Sequence, residues 1–272
     1  TVSFTEPGTY TCYIRGVRNY TGLVECVYSV NGGVEEIASG WSGDTTWVLT
    51  DNGVLTFSGT GNMKNYGYNG GQPWLNQGVD ITNVIVAEGV TGIGSGAFRN
   101  LATLKSVTFP ATTLTKMGEA AFYGSGLESV EIPASLWTIQ PYTFKNCTNL
   151  TSVKFHEGNL QKISDGAFYG TGLTELVLPD CLDILDRFAF KNCQNLSSIT
   201  IGSGLTQLRE AVFYGTAIPS IDIPEGITKI GPYAFKGCTD LVSINLPDTL
   251  TYIGESAFYG DTALWVVELP DT

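Results

Sequence analysis

The stretch Leu241–Gly260, LVSINLPDTLTYIGESAFYG, decides how the chain is read. Its first part alternates: Ile244 and Leu246 are apolar, while Ser243 and Asn245 are polar. A period of two marks a short strand with one face inward. Pro247 then ends the run, because it has no N–H to donate to a ladder. Leu250 and Ile253 form a second apolar pair. A polar-Gly stretch follows, and then Ala257-Phe258. Twenty residues with so few apolar positions cannot bury a core alone, so the segment needs neighbours of the same kind.

Those neighbours are present. The core Phe recurs at Phe98, Phe122, Phe144, Phe168, Phe190, Phe213, Phe235 and Phe258, with spacings of 22 to 24 residues. An alternating run ends 12 or 13 residues before each one. These runs are NVIV, SVTF, SVEI, SVKF, ELVL, SITI, SIDI and SINL, and a ninth, VVEL, begins at Val266. One inward column reads Val84, Val107, Val130, Val153, Leu176, Ile199, Ile221, Ile244, Val267. A fixed period of this length is the mark of a solenoid in which each repeat contacts only the next. Nine strands at about 4.8 Å predict a parallel sheet roughly 40 Å long, with the Ala-Phe segment as a short helical turn opposite. Two subtypes alternate. Phe98, Phe144, Phe190 and Phe235 are followed by Arg or Lys, and the other four by Tyr-Gly. The basic type carries one extra residue before the next Leu, as in FKNCQNL against FYGTGL.

The segments LTSVKF…ISDGAFYG and LVSINLPDTLTYIGESAFYG resemble BspA-like leucine-rich repeats. The stretch TTWVLTDNGVLTFSGTGNMKNYGYNGGQPWLN is similar to the β-rich cap that precedes such repeats. The resemblance covers residues 39–272. It implies a leucine-rich-repeat solenoid with a parallel β-sheet on the concave face and short helical turns opposite, preceded by a β-rich N-terminal cap. It also implies a secreted or surface-anchored bacterial adhesion or interaction protein, hence an extracellular or cell-surface location.

The chain divides accordingly. Residues 80–272 are repeats, and residues 39–79 form the cap, with a hairpin turn at Asp51-Asn52-Gly53. Trp41, Trp47 and Trp74 are expected to seal the first repeat. Residues 1–38 read as an N-terminal β-hairpin or the remnant of an upstream domain. YTCYIRGV and LVECVYSV flank a turn near Asn19, so Cys12 and Cys26 fall opposite each other and are the disulfide candidate. Cys147, Cys193 and Cys238 recur at one slot in every second repeat. At about 10 Å apart they lie beyond disulfide reach, so they and Cys181 are expected to be free. The chain stops midway through a repeat, which predicts further sequence or a partner over the last strand.

The 272 residues carry 14 Lys+Arg against 26 Asp+Glu, a net charge of −12. Phosphate-backbone binding needs clustered cations, so nucleic acid is excluded as a partner. No apolar run reaches the roughly 18 residues of a membrane span. His156 is the one histidine, and no motif places a nucleophile, paired carboxylates, a phosphate loop or an HExxH element. The expectation is therefore no catalytic residue, no metal and no cofactor.

Function is expected on the outward face of the sheet. One outward strip is mostly Ser. The other varies: Ile85, Thr108, Glu131, Lys154, Val177, Thr200, Asp222, Asn245, Glu268. Repeat proteins bind through such a surface, so Glu131, Lys154, Asp222, Asn245 and Glu268 are candidate binding residues. Trp137 joins them because it replaces the Thr of other repeats and exposed Trp favours interfaces. The expected partner is a host or microbial surface protein, with a glycan as the alternative through Trp137 or the Tyr ladder. A spacer that presents another domain is the remaining reading.

Overall fold

The structure is a computed structural model that describes residues 8–15, 23–30, 33–67 and 70–269, the first two segments by backbone only. β1 (Gly8–Arg15) and β2 (Leu23–Val30) form an antiparallel two-stranded sheet. Their register sets Cys12 opposite Cys26. The side chains of the disulfide candidate, Cys12 and Cys26, and the turn at Asn19 lie outside the described residues.

The cap is an antiparallel meander of β3 (Glu36–Ser42), β4 (Thr45–Thr50) and β5 (Val54–Gly59). At its turn Gly53 takes a φ of 78°, and its N–H donates to the Thr50 carbonyl. β5 then pairs in parallel with the first repeat strand, Leu55 against Val84 and Phe57 against Val86. The second strand of the hairpin therefore serves as a zeroth repeat. Trp74 fills the junction, edge-on to Phe57 at 5.0 Å and to Trp47 at 5.9 Å. Trp41 does not join them and is 73% exposed. Register pairs Gly40, not Trp41, with Trp47. The two-residue period then sends the Trp41 side chain to the other face.

Beyond the cap each repeat makes one front strand, one flank strand of two residues (four in the first repeat, Val90–Ile93) and one turn segment. The front strands are Asn83–Val86, Ser106–Thr108, Ser129–Ile132, Ser152–Phe155, Glu175–Val177, Ser198–Thr200, Ser220–Asp222 and Ser243–Asn245. The flank strands run from Gly61–Asn62 to Tyr252–Ile253. They divide into a six-stranded and a three-stranded parallel sheet. The expected ninth front strand is not formed: Val266 and Leu269 are 67% and 66% exposed. Of its inward pair Val267 is half-buried and Leu269 exposed, so the segment is not seated on the core.

No helix forms among the described residues, so the expected helical turns are corrected to a chain of tight turns. The residues two before and two after each core Phe are left-handed: Tyr142 (φ 58°) and Asn146 (φ 60°) flank Phe144, and Gly166 (φ 55°) and Gly170 (φ 67°) flank Phe168. A right-handed helix cannot pass through such positions. Alternate N–H groups instead bond forward, Gly96, Phe98 and Asn100 donating to the carbonyls of Glu119, Ala121 and Tyr123 in the next repeat. The same three bonds recur at every interface as far as Tyr233, Phe235 and Gly237. Inside, Phe98 through Phe235 are fully buried and stack with Phe258 at 5.0 to 5.9 Å between successive ring centroids.

The front sheet is not continuous. Hydrogen-bonded pairing joins Ser129–Ile132 to Ser152–Phe155, Glu175–Val177 to Ser198–Thr200, and Ser220–Asp222 to Ser243–Asn245, and stops between the pairs. The pairing follows the subtypes. Eight residues separate the core Phe from the next strand in the basic repeats, Phe144 to Ser152 for instance, and that strand pairs with the one before it. Seven separate them at Phe122, Phe168 and Phe213, and the ladder breaks there. At the first two breaks a backbone bond remains at the strand entrance, Glu128 to Lys105 and Thr174 to Thr151. At the third, Pro219 occupies the donor's position and has no N–H to give. The inward side chains respond. Val84, Val130, Leu176, Ile221 and Ile244 are buried, whereas Val107, Val153 and Ile199, each on the strand before a break, are only half-buried.

Candidate binding face

The outward face of the front strands holds four of the six candidate residues, as two cross-strand pairs. Glu131 stands opposite Lys154, with 4.0 Å between charges. Asp222 stands opposite Asn245, whose amide donates to its carboxylate. Such pairs are the ordinary unit of stabilisation on a sheet face, worth about 0.2–1 kcal/mol each. Trp137 and Glu268 lie elsewhere. Trp137, 49% exposed, directly precedes the flank strand Thr138–Ile139. Glu268 sits in the terminal segment that forms no strand.

His156 was not among the candidates and belongs with them. It replaces the strand-ending Pro, and its Nε2 lies 2.8 Å from a Glu131 oxygen. That hydrogen bond, with the Lys154 charge, holds the Glu131 carboxyl below the usual Glu range. The chain's one histidine, a lysine and a glutamate thus share one exposed cluster.

The ladder breaks open grooves on this face. One, of about 840 Å3, lies between Ser106–Thr108 and Ser129–Ile132, with half-buried Val107 and Phe109 in its floor and Glu131, His156 and Glu157 on one wall. The other, of about 860 Å3, lies at the next break, with Val153 and Phe155 on one side, Leu176 and Val177 on the other, and Glu157 and Asp180 at the edge. Glu157 borders both. Composition gives no hint of these grooves. The seven-against-eight residue count is the signal that could have located them.

Residues 75–182 and 161–272 match the BspA type leucine-rich repeat region, in six copies. The chain belongs to this family. Solved structures share the fold at low identity. A leucine-rich repeat protein of T. pallidum aligns with a TM-score of 0.55 and 22% identity, over 82% of this chain and 88% of that one. The pneumococcal vaccine antigen PcpA aligns with a TM-score of 0.53 and 19% identity, over 84% and 74%. A leucine-rich repeat protein of Bacteroides ovatus gives 0.53 and 19%, over 89% and 83%. No curated protein sequence matches the chain.

On the side away from the front strands, the BspA-type repeats carry a second strip. Lys145 lies 5.0 Å from the Tyr142 ring centroid and 4.6 Å from that of Tyr169. Lys191 lies between Phe188 and Tyr214, and Lys236 between Tyr233 and Tyr259, in the same way. Each cation joins two repeats through their aromatic faces. Cys147, Cys193 and Cys238 are free and buried. Their thiols donate to the carbonyls of Phe122, Phe168 and Phe213. Burial pushes them up to about 11, which leaves almost no reactive thiolate at neutral pH. Cys181 is free and exposed. Among the described residues, no three His, Cys, Asp or Glu side chains are grouped to hold a metal, and no helix is long and apolar enough to cross a membrane.

Proposed function

We propose that this chain is a non-catalytic module displayed at the bacterial surface, and that it captures a host or microbial surface protein through its front face. The observation that carries the reading is a contrast within each strand. Inward positions hold a fixed apolar column, while the outward positions beside the Ser strip change type from repeat to repeat. The face also leaves apolar side chains open to solvent: Ile85 is 40% and Val177 is 65% exposed. Exposed apolar groups rimmed by charges are the usual composition of a protein-recognition surface.

The test is replacement of Glu131, Lys154 and Asp222 together by Ser. Immobilised wild-type protein is expected to retain a partner from host or microbial surface extracts, identified by mass spectrometry, and the triple variant to lose it. The melting temperature is expected to stay nearly constant, since exposed substitutions cost within about ±0.5 kcal/mol. Equal capture by the variant removes the front face from the function.

A further inference from the structure

We propose that the groove between Ser106–Thr108 and Ser129–Ile132 is a docking site for an extended basic segment of a partner protein, which seats an apolar side chain on Val107 and Phe109 and a Lys or Arg against Glu131 and Glu157. The proposal deepens the reading of the front face as a binding surface and rests on it.

Three observations converge on this groove. The first is the missing ladder. The strands on either side are not hydrogen-bonded neighbours, and the arc that leads to the second is one residue shorter than in the paired repeats. The second is apolar exposure. Val107 and Phe109 belong to the inward columns, yet they are half-buried and line the groove, whereas Val84 and Val86 one repeat earlier are buried. A core surface left open to water gains from an apolar occupant.

The third is charge, and it selects the occupant. Glu131 and Glu157 stand on one wall of the groove, and the exposed acids Glu88, Asp180, Glu225 and Asp248 continue along the same strand-exit edge. On the outward strip itself Lys154 is the one cation. Its ammonium lies 4.0 Å from Glu131 and offsets part of that carboxylate's charge, but its side chain lines the neighbouring groove, and Glu157 adds a second carboxylate to this wall. An acidic segment would meet repulsion along the whole edge, whereas a basic segment is steered toward it and fixed by the two groove carboxylates. The whole chain, at −12, adds attraction in the same sense.

The probe is a fluorescein-labelled heptapeptide of alternating Val and Lys, compared by anisotropy with one of alternating Val and Glu and one of alternating Ser and Lys. The Val–Lys peptide is expected to bind and the other two to bind at least about tenfold more weakly. Glu131→Gln with Glu157→Gln is expected to weaken Val–Lys binding by about tenfold, while Glu225→Gln, on the same edge but outside the groove, changes it less than about twofold. Unaltered binding by the double variant overturns the proposal. So does an equal loss with Glu225→Gln, which would reduce the effect to net charge, and so does a Ser–Lys peptide that binds as tightly. The outcome separates from that of the front-face reading. A natural partner lost by the Ser triple variant, with no Val–Lys binding, overturns this proposal alone, whereas equal partner capture by that variant overturns the broader reading.

Discussion

The slot two residues after each core Phe is filled by Asn100, Gly124, Asn146, Gly170, Asn192, Gly215, Gly237 and Gly260, and by nothing larger. All eight are left-handed, and Asn and Gly adopt that conformation most readily. Their alternation has a second cause. A Cβ added at Gly170 would lie 2.9 Å from Oδ1 of Asn146, and one at Gly124 would lie 2.8 Å from Oδ1 of Asn100. The Asn side chain of one repeat occupies the space where the next repeat must have none. Gly170→Ala is therefore expected to cost about 2 kcal/mol in urea unfolding, roughly half of it recovered in an Asn146→Gly background, because that variant removes the clash and leaves only the backbone penalty. The buried thiols give a second residue-level expectation. Iodoacetamide at pH 8 should label Cys181 in the folded protein and reach Cys147, Cys193 and Cys238 only after denaturation, as peptide mapping would show. Equal labelling of Cys193 in the native state would contradict its burial.

At the scale of elements, the strand columns, the core Phe positions and the two subtypes were readable directly, because inward positions must recur when every repeat closes on the next. The turn segment reads as helical in the sequence because Ala-Phe at a regular spacing looks the same in a helical turn and in a tight turn. The deciding signal is the Gly or Asn two residues after each core Phe, as at Gly170 and Asn192. No residue type marks the grooves in the sequence, only a count of residues. That count yields a prediction: one Asn inserted between Gly124 and Ser125 lengthens the arc from Phe122 to eight and should let Ser129–Ile132 pair with Ser106–Thr108. Hydrogen exchange is expected to slow at Val107 and Phe109, and unchanged exchange there would mean that arc length does not control pairing. The last turn carries a pH dependence. Asp261 takes the slot held by Ser125, Thr171 and Thr216, and burial pushes its carboxyl up to about 6 from the ordinary 3.8. The folded state therefore holds this proton more tightly than the unfolded state, so this group's share of stability falls as pH rises from 3.8 to about 6 and is flat beyond. Asp261→Asn should raise the melting temperature at pH 7 and leave it unchanged below pH 4.

For the whole molecule, stability is a sum along one axis. Each core ring touches the one before and the one after, each interface repeats the same three turn bonds, and a lysine between aromatic faces joins every second interface, at Lys145, Lys191 and Lys236. Removal of one ring from the middle should divide the stack. Phe168→Ala is expected to cost about 3–5 kcal/mol and to turn a single denaturation transition into two, as the blocks on either side unfold separately. A single transition of unaltered steepness in urea would show that the repeats remain cooperative across the defect.

The turn bonds also share a direction. At every interface the N–H belongs to the earlier repeat and the carbonyl to the later one. The amide dipoles of this column line up head to tail down the length of the molecule, as they do along an α-helix, but with the positive end toward the C-terminal repeat. The back of the solenoid is thus an electrically polar rod, and a negative charge is better placed beyond its final turn than ahead of its first.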